Sequence, residues 1–238
     1  MKPGIVIFGI VAAALLSYGL HAALVGAPTE QTMGDVQRIF YYHVPSAWTA
    51  FLLFFVNFVA SIWYLVRRNP IADAIAVSAA EVGVVFCTVV LVTGPIWAKP
   101  VWGIWWTWDA RLTSTLVLWL IYVSYLILRR YATGGQTQVM AAVLAIFGFL
   151  DVPLVYMAIR WFRTQHPQPV IGGGEGSGIH PSMMHALMWN FVAFLVFAGL
   201  VMWLRYRIEL ASRAIESEFA QRAVDDDLHG HMPVRSTR

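Results

Sequence analysis

The sequence predicts an all-α integral membrane protein: a bundle of six transmembrane helices with both termini in the cytoplasm and a tryptophan-rich external loop. Three observations carry that reading. Hydrophobic residues fill 59% of the 238 positions and charged residues only 12%, where a soluble domain carries about 25% charged residues. So little charge cannot clothe a water-exposed surface, and with a mean hydropathy of +0.64 it excludes disorder, a coiled coil and most soluble folds. Second, apolar stretches of about 20 residues, the length that crosses a bilayer, recur along the chain. Third, the lysines and arginines are sorted unevenly between the segments that join those stretches.

The first stretch, Ile5 to Leu24, follows Lys2 and ends among small residues. It exceeds the 7–15-residue core of a signal peptide and reads as a retained helix. The second runs from Val44 to Val66, the third from Ala72 to Val92 and the fourth from Leu112 to Leu128. The fifth spans Val139 to Ile159, and the sixth Met183 to Leu204. Two carboxylates fall inside spans, Glu81 in the third and Asp151 in the fifth. Each is costly in hydrocarbon, so each is expected to face the bundle interior as a neutral acid bonded across helices. The step Asp151-Val152-Pro153 predicts a kink. Residues 1–204 form the membrane domain and 205–238 a cytoplasmic tail, helical from Arg205 to Arg222 and then solvated through Asp225, Asp226, Asp227, His229 and His231.

With the amino terminus inside, the inner segments hold eleven of the sixteen basic residues and the outer ones five: Arg38, Lys99, Arg111, Arg160 and Arg163. That bias places both termini in the cytoplasm. The single cysteine, Cys87, excludes an intramolecular disulfide, a cysteine zinc cluster and an iron–sulfur centre held by this chain alone. No basic run with interleaved aromatics indicates a nucleic-acid partner. No phosphate-binding G-x-x-x-x-G-K-[ST] occurs, and the glycine-rich Gly172 to Gly178 lacks its lysine and reads as a flexible linker.

This topology gathers unusual residues on the outer side. His21, His43, His166, His180 and His185 all fall there, five of seven histidines. The segment Trp97 to Arg111 holds five of the eleven tryptophans. If the chain after Pro100 is helical, Trp102, Trp105, Trp106 and Asp109 follow i, i+3, i+4, i+7 spacing and share one face. An aromatic belt at the interface explains Trp48, Trp161 and Trp189 but not so packed a cluster. A tryptophan shelf beside histidines suits a flat, apolar ring carrying a metal. Haem fits, with imidazoles on the iron and the outer cations near its propionates. Spacing alone leaves the ligand choice open among the five histidines, with Met183 and Met184 as conceivable soft ligands.

The run Trp102-Gly103-Ile104-Trp105-Trp106-Thr107-Trp108-Asp109-Ala110-Arg111-Leu112-Thr113-Ser114 resembles the tryptophan-rich signature of the WWD family of haem-handling proteins of cytochrome c biogenesis. Within it the chain is similar to the CcmC family. The likeness extends to Arg38-Ile39-Phe40-Tyr41-Tyr42-His43-Val44-Pro45, to Leu91-Val92-Thr93-Gly94, and to Trp161 with His166. The resemblance implies six spans in a bacterial inner membrane, with His43 and His166 as external axial ligands of haem b. It further implies that Trp102, Trp105, Trp106, Trp108 and Asp109 hold the porphyrin, with Arg38 and Arg111 near its edge. It also implies the task, which is to present haem at the periplasmic face and load it onto a CcmE-type chaperone. The implied company is a CcmD-type small protein and a CcmA/CcmB-type transporter. His180-Pro181, His185 and the glycine-rich insertion depart from that pattern, and His180 could compete for iron. Competing readings are a CcsA- or CcmF-type haem lyase, a haem permease and a b-type electron carrier. The lyases are longer, and the permease needs an intramembrane polar path for which only Glu81 and Asp151 offer themselves. The electron carrier needs histidine pairs inside the spans.

Overall fold

The computed structural model describes residues 3–132, 134–169, 171 and 178–230, with side chains through Asp225. Lys2, residues 172–177 of the glycine-rich stretch and His231 lie outside them. Seven α-helices follow in order: α1 Pro3–His21, α2 Phe40–Arg67, α3 Pro70–Trp102, α4 Ala110–Tyr131, α5 Thr137–Phe149, α6 Asp151–Trp161 and α7 Pro181–Gly230. A π-helical turn, Ala22–Gly26, extends α1, and a 3-10 turn, Asp35–Ile39, leads into α2.

Six helical segments are long and apolar enough to cross a membrane, α5 and α6 together making the fifth. The break between those two lies at Leu150, one residue before the Asp151-Val152-Pro153 step that predicted it. Proline cannot donate to the preceding turn and its ring crowds the carbonyl four residues back, so the ladder restarts there. At 50 residues, α7 is about 75 Å long at 1.5 Å per residue. It runs unbroken past Leu204, so the tail begins as an extension of the last span.

Short connections make successive spans antiparallel, so the structural work divides between two bundle ends. Between α2 and α3 the turn is two residues. Arg68 takes a left-handed conformation (φ 51°), and Asn69 caps α3 by accepting from Ile71 N at 2.8 Å, with Pro70 in the first helical position.

Helices α2 and α3 form the most extensively packed pair. The reason is a run of small residues on α3, with Ala72, Ala76 and Ala80 on one row and Ala79, Gly83 and Cys87 on the next, all buried. A methyl group on Gly83 would lie 2.7 Å from Phe54 Cε1 on α2, so only glycine permits this approach. Lipid offers no hydrophobic drive between helices, and close van der Waals packing replaces it. Phe54 stacks on Tyr122 of α4 with centroids 3.8 Å apart, and Leu53, Leu118, Tyr125 and Val155 complete the core.

Buried polar side chains tie the helices across their interfaces. Asn57 Nδ2 donates to Ala76 O (2.7 Å), Trp119 Nε1 to Thr88 Oγ1 (2.8 Å), and Asn190 Nδ2 to Gly19 O (2.9 Å). Each such bond is worth about 0.6 to 2 kcal/mol in a bilayer.

Glu81 departs from expectation. It is not a lone neutral acid, because Arg205 of α7 grips both its carboxylate oxygens. A charge held between helices is least costly beside a forked cation that satisfies both oxygens. Asp151 does reach the interior, where its Oδ2 is buried and has no hydrogen-bond partner among the described residues. At the end of the bundle where α3 begins, Asp73 is 3% exposed and accepts two bonds from Arg129 (2.6 and 2.9 Å) and one from Arg213 (2.6 Å). That cluster fastens the extension of α7 to the ends of α3 and α4.

Candidate functional site

At the opposite end, a cavity of about 50 Å³ opens between α2, α3, α4 and the segment after α6. Its lining includes His43, Cys87, Gly94, Trp106, Arg111 and His166. The imidazoles of His43 and His166 lie 6.5 Å apart between centroids, with their planes 33° from parallel. His43 sits in the first turn of α2, which begins four residues before the expected start of the span, and Pro45 therefore lies inside the helix. His166 precedes Pro167 at a bend in the irregular chain after α6.

Each ring has one nitrogen engaged. His43 Nδ1 meets Thr93 Oγ1 of α3 at 2.8 Å. His166 Nδ1 meets the carbonyl of Pro167 at 2.9 Å, and since a carbonyl only accepts, this nitrogen carries the proton. Nε2 of His166 is therefore bare. A metal about 2 Å from one nitrogen of each ring sets the two centroids roughly 6 Å apart, so the observed separation suits a shared metal.

The other histidines of this end stand elsewhere. His21 is exposed where α1 ends. His180 caps α7, its Nδ1 accepting from Ser182 N at 3.3 Å. His185 packs against Tyr18 and Trp189. Met183 and Met184 belong to a separate apolar cluster with Tyr41.

The tryptophan segment is not the helix that i, i+3, i+4, i+7 spacing envisaged. Gly103, at φ 79°, ends α3 by placing its N–H on Lys99 O (3.0 Å), and Lys99 Nζ returns to Gly103 O (2.8 Å). Only a residue free of a Cβ adopts that left-handed cap without cost. Residues 104–109 then cross as irregular chain, and the shelf divides. Trp102 packs edge-on against Trp97, and Trp106 against Trp108. Trp106 alone of the signature tryptophans lines the cavity, while Trp105 is 58% and Trp108 76% exposed.

Asp109 serves the protein itself. Its Oδ1 accepts from Leu112 N (2.9 Å), capping α4, and its Oδ2 accepts from Thr107 (3.1 Å) and Thr164 (2.8 Å). Burial pushes this carboxyl up, but those hydrogen bonds outweigh it and hold it below the usual carboxylate range. Thr164 in turn accepts from the His166 backbone N–H at 3.1 Å. Asp109 thus ties the tryptophan segment to the segment that carries His166.

Arg111 lies in the wall. Among the described residues its guanidinium makes one hydrogen bond, to Val155 O at 3.2 Å. The indole N–H of Trp106 is buried without a partner among the described residues. Unspent donors of this kind suit an anionic or carbonyl group of a guest. His166 is held neutral, its pKa pushed down to about 3 by burial and then by the Arg111 guanidinium.

Arg38 is spent elsewhere. It bonds Asp35, Thr29 and the carbonyls of Ala23 and Ala27, clamping the turn between α1 and α2, and it does not line the cavity.

Sequence reasoning missed Thr93, Thr107 and Thr164, whose partners are set by packing between segments. The cap at Asp109 was missed as well, although an aspartate directly before an apolar run is the signal that marks one.

Comparison with known proteins bears on what this cavity takes. The family model for Heme exporter protein C matches residues 2–221. The chain is 33% identical over 204 residues to Heme exporter protein C of Bradyrhizobium diazoefficiens, covering 85% of this chain and 77% of that protein. Against Heme exporter protein C of Escherichia coli it is 33% identical over 187 residues, 76% of this chain and 73% of the other. A putative cytochrome c biosynthesis ccmC-like mitochondrial protein of Marchantia polymorpha is 31% identical over 193 residues, 81% and 82% of the two chains. A match running from the first helix into the extension of the last one covers every element that builds the cavity, and the chain belongs to the Heme exporter protein C family.

Proposed function

We propose that this protein handles haem for c-type cytochrome biogenesis, holding it at the periplasmic face of the bacterial inner membrane and delivering it to a CcmE-type chaperone. The observation that carries the reading is the pair of imidazoles, 6.5 Å apart at one cavity, each with its Nδ1 already engaged. Haem b is the cargo. His43 and His166 are its axial ligands, which supply neutral nitrogen to both faces of the iron. Trp106 offers an indole face and its free N–H, and Arg111 a fixed cation for a carboxylate at the macrocycle's edge. Trp105 and Trp108 extend apolar surface outward from the mouth.

The size of the cavity argues for presentation over storage. Pockets that enclose molecules of this size run to about 300–1,000 Å³, against about 50 Å³ here. Haem bound between the two imidazoles would therefore reach beyond the mouth of this cavity, where a chaperone meets its edge. The sorting of basic residues sets the orientation, with this end outside and both termini, the Asp73 cluster and the α7 extension in the cytoplasm. A CcmD-type small protein and CcmA/CcmB-type transporter subunits complete the assembly.

The test is the absorption spectrum of purified protein. Wild type shows the bands of six-coordinate haem, and a His43→Ala/His166→Ala double variant loses them, whereas His180→Ala/His185→Ala keeps them. Full retention of haem by the first double variant overturns the ligand assignment.

A further inference from the structure

The hydroxyl of Thr93 sits at the join between α3 and the His43 ring. Its oxygen lies 2.8 Å from His43 Nδ1, 2.6 Å from the carbonyl of Val89 and 3.4 Å from that of Val90. A hydroxyl has one proton and two lone pairs. A carbonyl oxygen 2.6 Å away demands that proton, since two oxygens at that distance without a hydrogen between them repel. The back-bond to the carbonyl four residues earlier is the usual resting place of a helical threonine proton. The lone pairs are then left for His43, and Nδ1 must be the donor.

We infer that Thr93 is a positioning residue: its hydroxyl, oriented by Val89, accepts the His43 Nδ1–H and so fixes the tautomer whose Nε2 is bare. The Pro167 carbonyl fixes the same tautomer at His166 by a different device. The cavity is thus presented with two bare ring nitrogens before any guest arrives. Neutral histidine in water populates both tautomers, and a ring with its proton on Nε2 must first lose or move it to bind a metal. Orientation by a partner on the far nitrogen removes that step and locks the ring's rotation. The inference deepens the haem-holding reading and rests on it for its purpose, but the tautomer itself is a property of the empty protein.

The experiment uses full-length protein in lipid nanodiscs with 15N-labelled histidine. In the haem-free wild type, two-bond 15N–1H correlations show His43 as a single Nδ1–H tautomer. Thr93→Val, which keeps the shape and removes the acceptor, shifts His43 toward the Nε2–H form, and Thr93→Ser restores the wild-type pattern. Thr93→Ala gives the same shift should the valine variant express poorly. His166 serves as the internal control and does not change in any of them. With haem added, Thr93→Val binds about 10- to 100-fold more weakly, the cost of losing a partner that orients a metal ligand. A His43 tautomer unaffected in both Thr93→Val and Thr93→Ala overturns the inference whatever the haem affinity. A haem spectrum of His43→Ala that matches wild type and does not respond to added imidazole overturns the ligand reading and leaves the tautomer result standing.

Discussion

His43 and His166 stand 123 positions apart in the chain and 6.5 Å apart in space. Their separation is set by different supports: Thr93 on α3 for one ring, the Pro167 carbonyl and the Thr164 hydroxyl for the other. The pair is consequently only as good as the docking of the segment after α6 against the start of α4, which Asp109 performs.

That dependence predicts a split between two variants. Asp109→Ala removes the α4 cap and the acceptor for Thr164 together, costing about 0.5–2 kcal/mol of stability from the cap and weakening haem retention as well. Thr164→Val spares the cap, so the melting temperature stays near wild type while haem dissociates several-fold faster. Thermal melts and a haem-transfer assay to apomyoglobin separate the two, and equal haem retention in Thr164→Val and wild type would remove Thr164 from the support of His166.

His166 also predicts a pH dependence. Its pKa lies near 3 against an ordinary 6.5, so between those values an unfolded chain takes a proton that the folded one refuses. Folding stability therefore falls as pH drops from about 6.5 toward 3 and is untouched above about 7.5. The comparison of melting temperatures at pH 7.5 and 5 shows a larger drop for wild type than for His166→Gln. Equal drops in the two proteins would mean that the ring is solvated.

Single ligand replacements are expected to differ from the double one. His43→Ala and His166→Ala each leave one imidazole, giving five-coordinate haem whose spectrum returns toward wild type on adding imidazole. A single variant with an unchanged spectrum and no response to imidazole would exclude that residue from the iron.

Glu81 and Arg205 form a test of the bundle independent of haem. Arg205→Gln leaves Glu81 unpaired between α3 and α7 and costs about 1–2 kcal/mol, while Glu81→Gln/Arg205→Gln recovers much of that loss. Unfolding in graded denaturing detergent measures both. Additive losses in the double variant would show that the two side chains do not couple in the bilayer.

The amino-acid sequence alone determined the six spans and the break before Pro153, because length and hydropathy are local properties that the bilayer reads directly, but not the ends of the helices: α3 runs on to Trp102, ten residues past the expected Val92. It also marked His43, His166, Trp106 and Arg111, through a signature concentrated in a few short segments. It did not determine the path of the tryptophan segment. Helical spacing promised a single shelf, yet the left-handed turn at Gly103 ends α3 and leaves Trp106 in the wall, Trp105 and Trp108 outside and Asp109 as a cap. Nor could it pair Glu81 with Arg205, Asp73 with Arg129 and Arg213, or Thr93 with His43. A helix fixes which of its own residues share a face, but which faces meet is decided by packing between helices. Here the small residues of α3 let α2 approach closely enough to bring a threonine hydroxyl to an imidazole nitrogen.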